Sequence, residues 1–381
     1  MDHLLSIVVP TKDRYCYLKD LIKLIKGFKS NRIELVVQDN TYDNSEIIEF
    51  LREFGFPQLK YYHISKPLSQ SENSTEAICN STGEYICFIG DDDGVTRYID
   101  DTVQWMKDNG YSILKSAPSV FKWPSFVSPK GYDVKGTALF NDYKLTYKEC
   151  LCGPVLSKLL RSGIDTLGSM PKVYNGIVKR TLLDKIYEKC GTFFPGPSPD
   201  MANAVALSVL EEKYVYVDFP IIIGGHSAHL GGGAARYKNG LGPLEDQPFI
   251  AQEYKDKWSP RIPKVWASRT VWPESARTAL VALNQTDLLE SIDYELILRK
   301  FIVDHWRYAS MALALSNNRT KLFFASLYHY MIKKVFLCCN YYQYKFNNIF
   351  DGLKIHRNIG SIIEAEELFC QNLKGFHLTK E

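Results

Sequence analysis

Residues 83–94, GEYICFIGDDDG, set the fold of this chain. Tyr85 to Ile89 is a short apolar run opened by a turn at Gly83, the pattern of a buried strand. It runs directly into Asp91, Asp92 and Asp93, followed by Gly94. Three adjacent carboxylates repel one another, so holding them together calls for nearby positive charge. A hard divalent cation bridging a diphosphate supplies it, because Mg²⁺ or Mn²⁺ binds a few carboxylates together with phosphate oxygens. The plain alternative is a solvated acidic turn.

Working back toward the N-terminus, the same kind of strand recurs. Leu4 to Pro10 (LLSIVVP) and Ile33 to Val37 (IELVV) are apolar and β-branched, and Leu59 to Ile64 (LKYYHI) is a third strand. Between them, Leu18, Leu21, Ile22 and Ile25 fall at helical spacing, Ser45 to Phe54 reads as a helix, and Thr75 to Asn80 lies in a short one. Strands alternating with helices predict a parallel sheet wrapped by helices. Ligands of such sheets bind beyond the carboxyl ends of the strands. The polar clusters Thr11 to Arg14, Asp39 to Ser45 and Asp91 to Asp93 all fall at those ends.

The remaining chain is less regular. Asp200 to Glu211 predicts a helix with Ser198 or Pro199 near its start. Tyr214 to Ile223 predicts one strand leading into a glycine-rich loop, and Ala276 to Leu373 is expected to be largely helical. The 381 residues, 45% hydrophobic and 23% charged, describe an ordinary globular protein of one large or two modest domains. A net charge of +3 gives no global argument for nucleic acid. Nine scattered cysteines suit a reduced, cytoplasmic setting. The first residues lack the basic and apolar regions of a signal peptide, and no apolar run reaches the roughly 18 residues of a spanning helix.

LLSIVVPTKDRYCYLKDLI, IELVVQDNTYDNS and ENSTEAICNSTGEYICFIGDDD, in this order and spacing, resemble the family 2 glycosyltransferases of GT-A fold. The resemblance covers residues 4 to about 110 strongly and continues more weakly to about 240. It implies a Rossmann-like α/β domain with a mixed, mostly parallel sheet. Residues 1–115 would bind the nucleotide sugar, residues 116–245 the acceptor, and 246–381 would form a mostly helical C-terminal region. Carried over by position, Pro10, Thr11, Asp13 and Arg14 match the first nucleotide loop. Asp39 matches the carboxylate that reads the base. Asn73 and the stretch Asn80 to Gly83 match the segment beneath the nucleotide. Asp91 to Asp93 match the aspartate motif that holds ribose and metal. A D-x-D register favours Asp93 as metal ligand with Asp91 on the ribose, while alignment on GEYI makes Asp92 the ligand.

An inverting displacement needs a carboxylate to take the acceptor hydroxyl proton on the face opposite the leaving diphosphate. In enzymes like these an acidic residue at the start of the helix in the second half does so, which points to Asp200; helix capping is its plain alternative. His226 and His229 lie within GGHSAHLGGG (224–233). They could complete a Mn²⁺ sphere, and the glycine backbone could present N–H groups to a diphosphate; an ordinary surface loop is the alternative. Arg236 and Lys238 could screen the leaving group. Lys172, Tyr174 and Asn175 could touch the acceptor, against a structural loop.

The expected cofactor is Mn²⁺ or Mg²⁺. The expected partners are a nucleotide-sugar donor, UDP-linked in the first instance, and a glycan or lipid-linked glycan acceptor. A nucleotidyltransferase of related fold would show glycines after the first strand, which PTKDRYCYL lacks; a non-catalytic binding module is the other rival. Arg299 to Arg357 carries ten Lys or Arg against Asp304 and Asp351 and is dense in aromatics. Such a segment suits peripheral contact with the inner face of the cytoplasmic membrane through residues 299–357, or else a packing or dimerisation region with a basic face.

Overall fold

The computed structural model describes residues 3–127, 135–228, 241–247, 250–347, 353–371 and 377–381. The first ninety residues alternate as read: β1 (Leu5–Thr11), α1 (Tyr15–Gly27), β2 (Ile33–Asp39), α2 (Ser45–Phe54), β3 (Leu59–His63), α3 (Gln70–Cys79) and β4 (Tyr85–Phe88). The four strands are mutually parallel in the order β4-β1-β2-β3. Ile7, Val8, Val9, Leu35, Val36 and Val37 are fully buried, since helices cover both sheet faces. Each such side chain contributes about 1.5–3 kcal/mol by burial. Helix α3 starts earlier than expected because Ser69 and Glu72 form a capping box. Glu72 N–H donates to Ser69 Oγ at 3.2 Å, and Ser69 N–H to Glu72 Oε2 at 2.7 Å.

Beyond β4 the sheet continues with Ile177–Lys179, antiparallel to both neighbours, then Ile113–Ser116, Lys213–Val217, Thr146–Leu151 and Thr379–Lys380. A second sheet of five strands runs Leu353–Arg357, Thr137–Asn141, Val120–Lys122, Ile222–His226 and β5 (Gly94–Val95). The single strand expected over Tyr214 to Ile223 is therefore two strands in two sheets. Pro220 lacks the N–H that a continuing ladder needs, and the chain crosses between the sheets there. Gly224 and Gly225 belong to the second of these strands and not to a loop.

The expected helical region is helical over Ser268–Ala282, Tyr294–Asp304 and Arg319–Asn347, among shorter turns. It does not stay separate at either end. The helix Ser268–Ala282 packs on Pro199–Leu210, and one core joins Leu156, Leu160, Met201 and Val205 to Ala276, Leu280 and Ile297. The last segment leaves the helical region altogether. Leu353–Arg357 pairs with Thr137–Asn141, and the helix Ile362–Cys370 packs on α1 and β5. A boundary at residue 245 thus cuts through a continuous core, because the apolar face of Pro199–Leu210 is covered by residues from beyond it. No helix among the described residues is long and apolar enough to cross a membrane.

Candidate active site

The aspartates after β4 are buried at 2%, 4% and 2% exposure, so the solvated-turn alternative does not hold. Each is gripped by a different part of the chain. Thr11, at the tip of β1, donates its hydroxyl to Asp91 Oδ2 at 2.6 Å. The chain then passes through Asp13 in the left-handed region, φ 57°, a conformation that aspartate tolerates better than most residues. Arg14 follows, with Nη2 2.8 Å from Asp91 Oδ1 and 2.6 Å from Asp92 Oδ1. Burial opposes the Arg14 charge, but Asp91 and Asp92 more than offset it and raise its pKa.

The other grips come from far along the sequence. Because β5 pairs antiparallel with Ile222–His226, that strand's end lies on the aspartate turn. Ser227 donates to Asp92 Oδ2 at 2.7 Å, and Gly225 N–H to Asp93 Oδ1 at 2.7 Å. Trp123 Nε1 donates to Asp92 carbonyl oxygen at 2.8 Å. Gly225 is required by space: a Cβ there would lie 1.6 Å from the Asp92 carbonyl oxygen. Asp93 Oδ2 accepts from Gly90 N–H at 2.8 Å and from the Tyr174 hydroxyl at 3.0 Å. Tyr174 is delivered by a tight turn, Lys172 to Gly176, in which Asn175 N–H donates to Phe88 carbonyl oxygen at 2.9 Å.

One guanidinium does not neutralise three carboxylates. Burial lifts Asp91 to about 7, against the pull of Arg14 and with repulsion from Asp92. Burial and then repulsion from Asp92 also raise Asp93. Asp91 Oδ1 accepts no hydrogen bond despite its closeness to Arg14 Nη2, which lies off the hydrogen-bonding direction; Arg14 Nε also lacks an acceptor. A buried carboxylate oxygen with open lone pairs, in a cluster short of positive charge, fits a hard divalent cation. Among the described residues, no three His, Cys, Asp or Glu side chains form a ready-made cage, so phosphate oxygens would have to complete the sphere. The open oxygen lies on Asp91. Asp93, favoured as metal ligand from the sequence, already accepts three hydrogen bonds, because its side chain folds back onto Gly90 and the neighbouring strand.

Pro10 pairs with Gln38 beside Thr11 on the β1 edge. Asp39 is fully buried, yet it is not a fully open acceptor: Oδ2 takes the hydroxyls of Tyr15 and Tyr61, each at 2.6 Å, and Oδ1 takes Thr41 N–H at 2.8 Å. Two tyrosines thus occupy Oδ2, and the acceptor capacity left to a base is on Oδ1. Asn73 is buried on α3 with an unpartnered Oδ1, and Asn80 donates to Gln38 Oε1 at 2.9 Å. The His226 ring lies 5.9 Å from that of Phe126. His229, Arg236 and Lys238 lie outside the described residues.

Asp200 opens the helix Pro199–Leu210, with Pro199 in its first turn and no cap hydrogen bond from Ser198. Burial raises the Asp200 pKa, partly countered by Lys172. Lys172 also lies over the Tyr174 ring at 5.1 Å. Tyr174 is raised well above the ordinary phenol value by burial, then by Asp93 and Asp200, so it stands within electrostatic reach of both carboxylate sites. Gly225 and Ser227 lie in the stretch 224–233 read from the sequence as a loop for metal or diphosphate, not as partners of the aspartates; Trp123 and the Tyr174–Asp93 bond have no local sequence signal. Nor has a further brace: Arg97 donates N–H at 2.8 Å and Nε at 2.9 Å to Glu366 Oε1, and Ile362 packs on Gly94, where a Cβ would lie 2.6 Å from Cγ1.

Residues 6–168 match the model of the family described as Glycosyl transferase family 2. No curated protein matches the chain in sequence. Among solved structures, S. aureus TarS 1-349 in complex with UDP-GlcNAc matches with a TM-score of 0.50 and 16% identity, over 82% of this chain and 76% of that one. The mannosyltransferase PcManGT from Pyrobaculum calidifontis, in complex with GDP-Man and Mn2+, matches more loosely, with a TM-score of 0.41 and 14% identity over 88% of each chain. The fold is of GT-A type, as in TarS, and the family match covers residues 6–168, less than half of the chain.

Proposed function

We propose that the chain transfers a sugar, with inversion, from a nucleoside-diphosphate donor to a glycan hydroxyl. The donor is a UDP-sugar. The acceptor is a lipid-linked glycan met at the inner face of the cytoplasmic membrane during bacterial surface polysaccharide synthesis. The observation that carries this reading is the buried aspartate cluster held between the β1 tip, the strand Ile222–His226 and Tyr174.

Asp91 and Asp92 would hold Mn²⁺ or Mg²⁺ together with donor oxygens, and the ion would supply charge for the departing diphosphate. Arg14 bridges the same two carboxylates and supplies a second positive charge beside them. Tyr174 and the Gly225 N–H keep Asp93 oriented beneath the donor. Asp200 takes the proton from the acceptor hydroxyl, whose oxygen attacks the anomeric carbon as the bond to diphosphate breaks on the opposite face. A carboxyl whose pKa is raised by burial is a stronger base than an exposed one. Calorimetric titration of the chain with nucleotide sugars, with and without Mn²⁺, tests the reading. Metal-dependent binding of at least one donor is expected; no binding of any nucleotide sugar under either condition overturns it.

A further inference from the structure

Within the lipid-linked part of the reading above, the structure singles out one surface. In the helix Arg319–Asn347, Leu322 and Ser326 are buried against the body, and Lys333 pairs with Asp304 at its foot. Phe324, Tyr328, Met331 and Val335 follow at steps of four, three and four, which is one helix stripe. They are exposed at 62%, 64%, 51% and 64%, and Ile332 and Phe336 flank them. The stripe joins an aromatic patch at its start, where Phe323 lies 5.5 Å from Phe324 and 6.0 Å from Trp306. From His305 to Phe350 the chain has six Lys or Arg and no Asp or Glu. Two copies pressed together on this face would meet with like charge, since Asp304 is already taken by Lys333 and Arg269. An anionic bilayer offers hydrocarbon for the stripe, an interfacial level for Trp and Tyr, and phosphates for Arg319, Lys321 and Lys334.

We propose that the exposed stripe Phe324–Tyr328–Met331–Val335 and its basic flank dock the enzyme on an anionic lipid surface. Docking there would bring the sugar-transfer site to a lipid-linked acceptor without a spanning segment. The test is flotation of the full chain with phosphatidylcholine vesicles and with mixed phosphatidylcholine–phosphatidylglycerol vesicles. The chain is expected to float with the mixed vesicles and to release with salt. Lys321→Gln with Lys334→Gln should lower the vesicle partition coefficient about thirtyfold, about fivefold for each lysine. Phe324→Glu with Val335→Glu should abolish flotation while thermal stability and turnover of a water-soluble acceptor stay unchanged, since both side chains are exposed on a helix that packs on Tyr294–Asp304. Three outcomes overturn the proposal: a wild-type chain that does not float, glutamate variants that float like it, or a concentration-dependent dimer in sedimentation that Val335→Glu dissolves. None of the three touches sugar transfer itself, which the donor titration tests separately.

Discussion

Substituting Gly225 with alanine separates a site built by strand pairing from one built by local sequence. The added Cβ would lie 1.6 Å from the Asp92 carbonyl oxygen, 2.4 Å from its carbon and 3.0 Å from Asp93 N. Non-bonded contact needs about 3.5 Å, so the two backbones must part by roughly 2 Å. The strand cannot simply withdraw, because Gly225 is in register with Phe121 on its other side. Parting breaks the 2.7 Å bond from Gly225 N–H to Asp93 and disturbs Ser227 on Asp92. Overpacking costs about 1–3 kcal/mol, and the lost bond to a buried carboxylate about 1.5–3 kcal/mol more. Displacement of reacting groups by about 1 Å lowers rates on the order of a hundredfold. Gly224→Ala is the internal control, since its Cβ would meet only Ser119 carbonyl oxygen at 3.2 Å. The assay is release of free nucleotide from the donor, followed as kcat/KM, beside a thermal melt. Gly225→Ala should lose on the order of a hundredfold in kcat/KM, with Gly224→Ala within about threefold of the parent. Equal damage from the two substitutions, or an active Gly225→Ala enzyme, would refute the reasoning.

Asp200→Asn should keep donor affinity in calorimetry and lose transfer by about 10²–10⁴-fold. Because burial raises its pKa and only the ionised form can take a proton, activity of the parent should fall with decreasing pH above the ordinary aspartate range; an acid limb at the ordinary value removes Asp200 as base. Glu366→Gln should lower thermal stability by about 1–3 kcal/mol through the weakened Arg97 contact, and should raise the donor KM as β5 loosens; an unchanged KM beside a lower melting point confines Glu366 to stability. Burial alone would raise the Glu34 pKa, but hydrogen bonds from Lys60, Ser6 and Thr82 N–H outweigh it and hold the value down. Glu34 therefore adds stability above the pKa it has when unfolded and loses it as pH falls through the folded value. The stability gap between parent and Glu34→Gln in urea titrations should narrow on acidification, and a gap constant with pH would contradict the assignment.

Much of the fold was legible because its signals are local. Leu5 to Thr11, Ile33 to Asp39 and Tyr85 to Phe88 are apolar enough to be central strands, and no other element suits them. Thr11, Arg14 and the three aspartates stand at strand tips, where parallel topology gathers polar residues. The capping box Ser69–Glu72 was equally present in the sequence, and it places the start of α3 five residues before the expected one. Asp39 was legible as a strand-tip carboxylate, but its two tyrosine partners arrive from α1 and β3, which no spacing relates.

What the sequence by itself determined is the alternation of strand and helix and an acidic triplet at the fourth strand's end, since hydrophobic period and turn residues act over a few positions. Tertiary structure alone decided which oxygen stays open. Ser227 reaches Asp92 across 135 positions and Gly225 reaches Asp93 across 132, because antiparallel pairing of β5 with Ile222–His226 sets the register. It also decided that the helix Ile362–Cys370 returns to brace β5, Glu366 on Arg97 across 269 positions. Burial and hydrogen-bond saturation are properties of packed neighbours, and those neighbours come from segments whose own sequences do not say which aspartate they will meet.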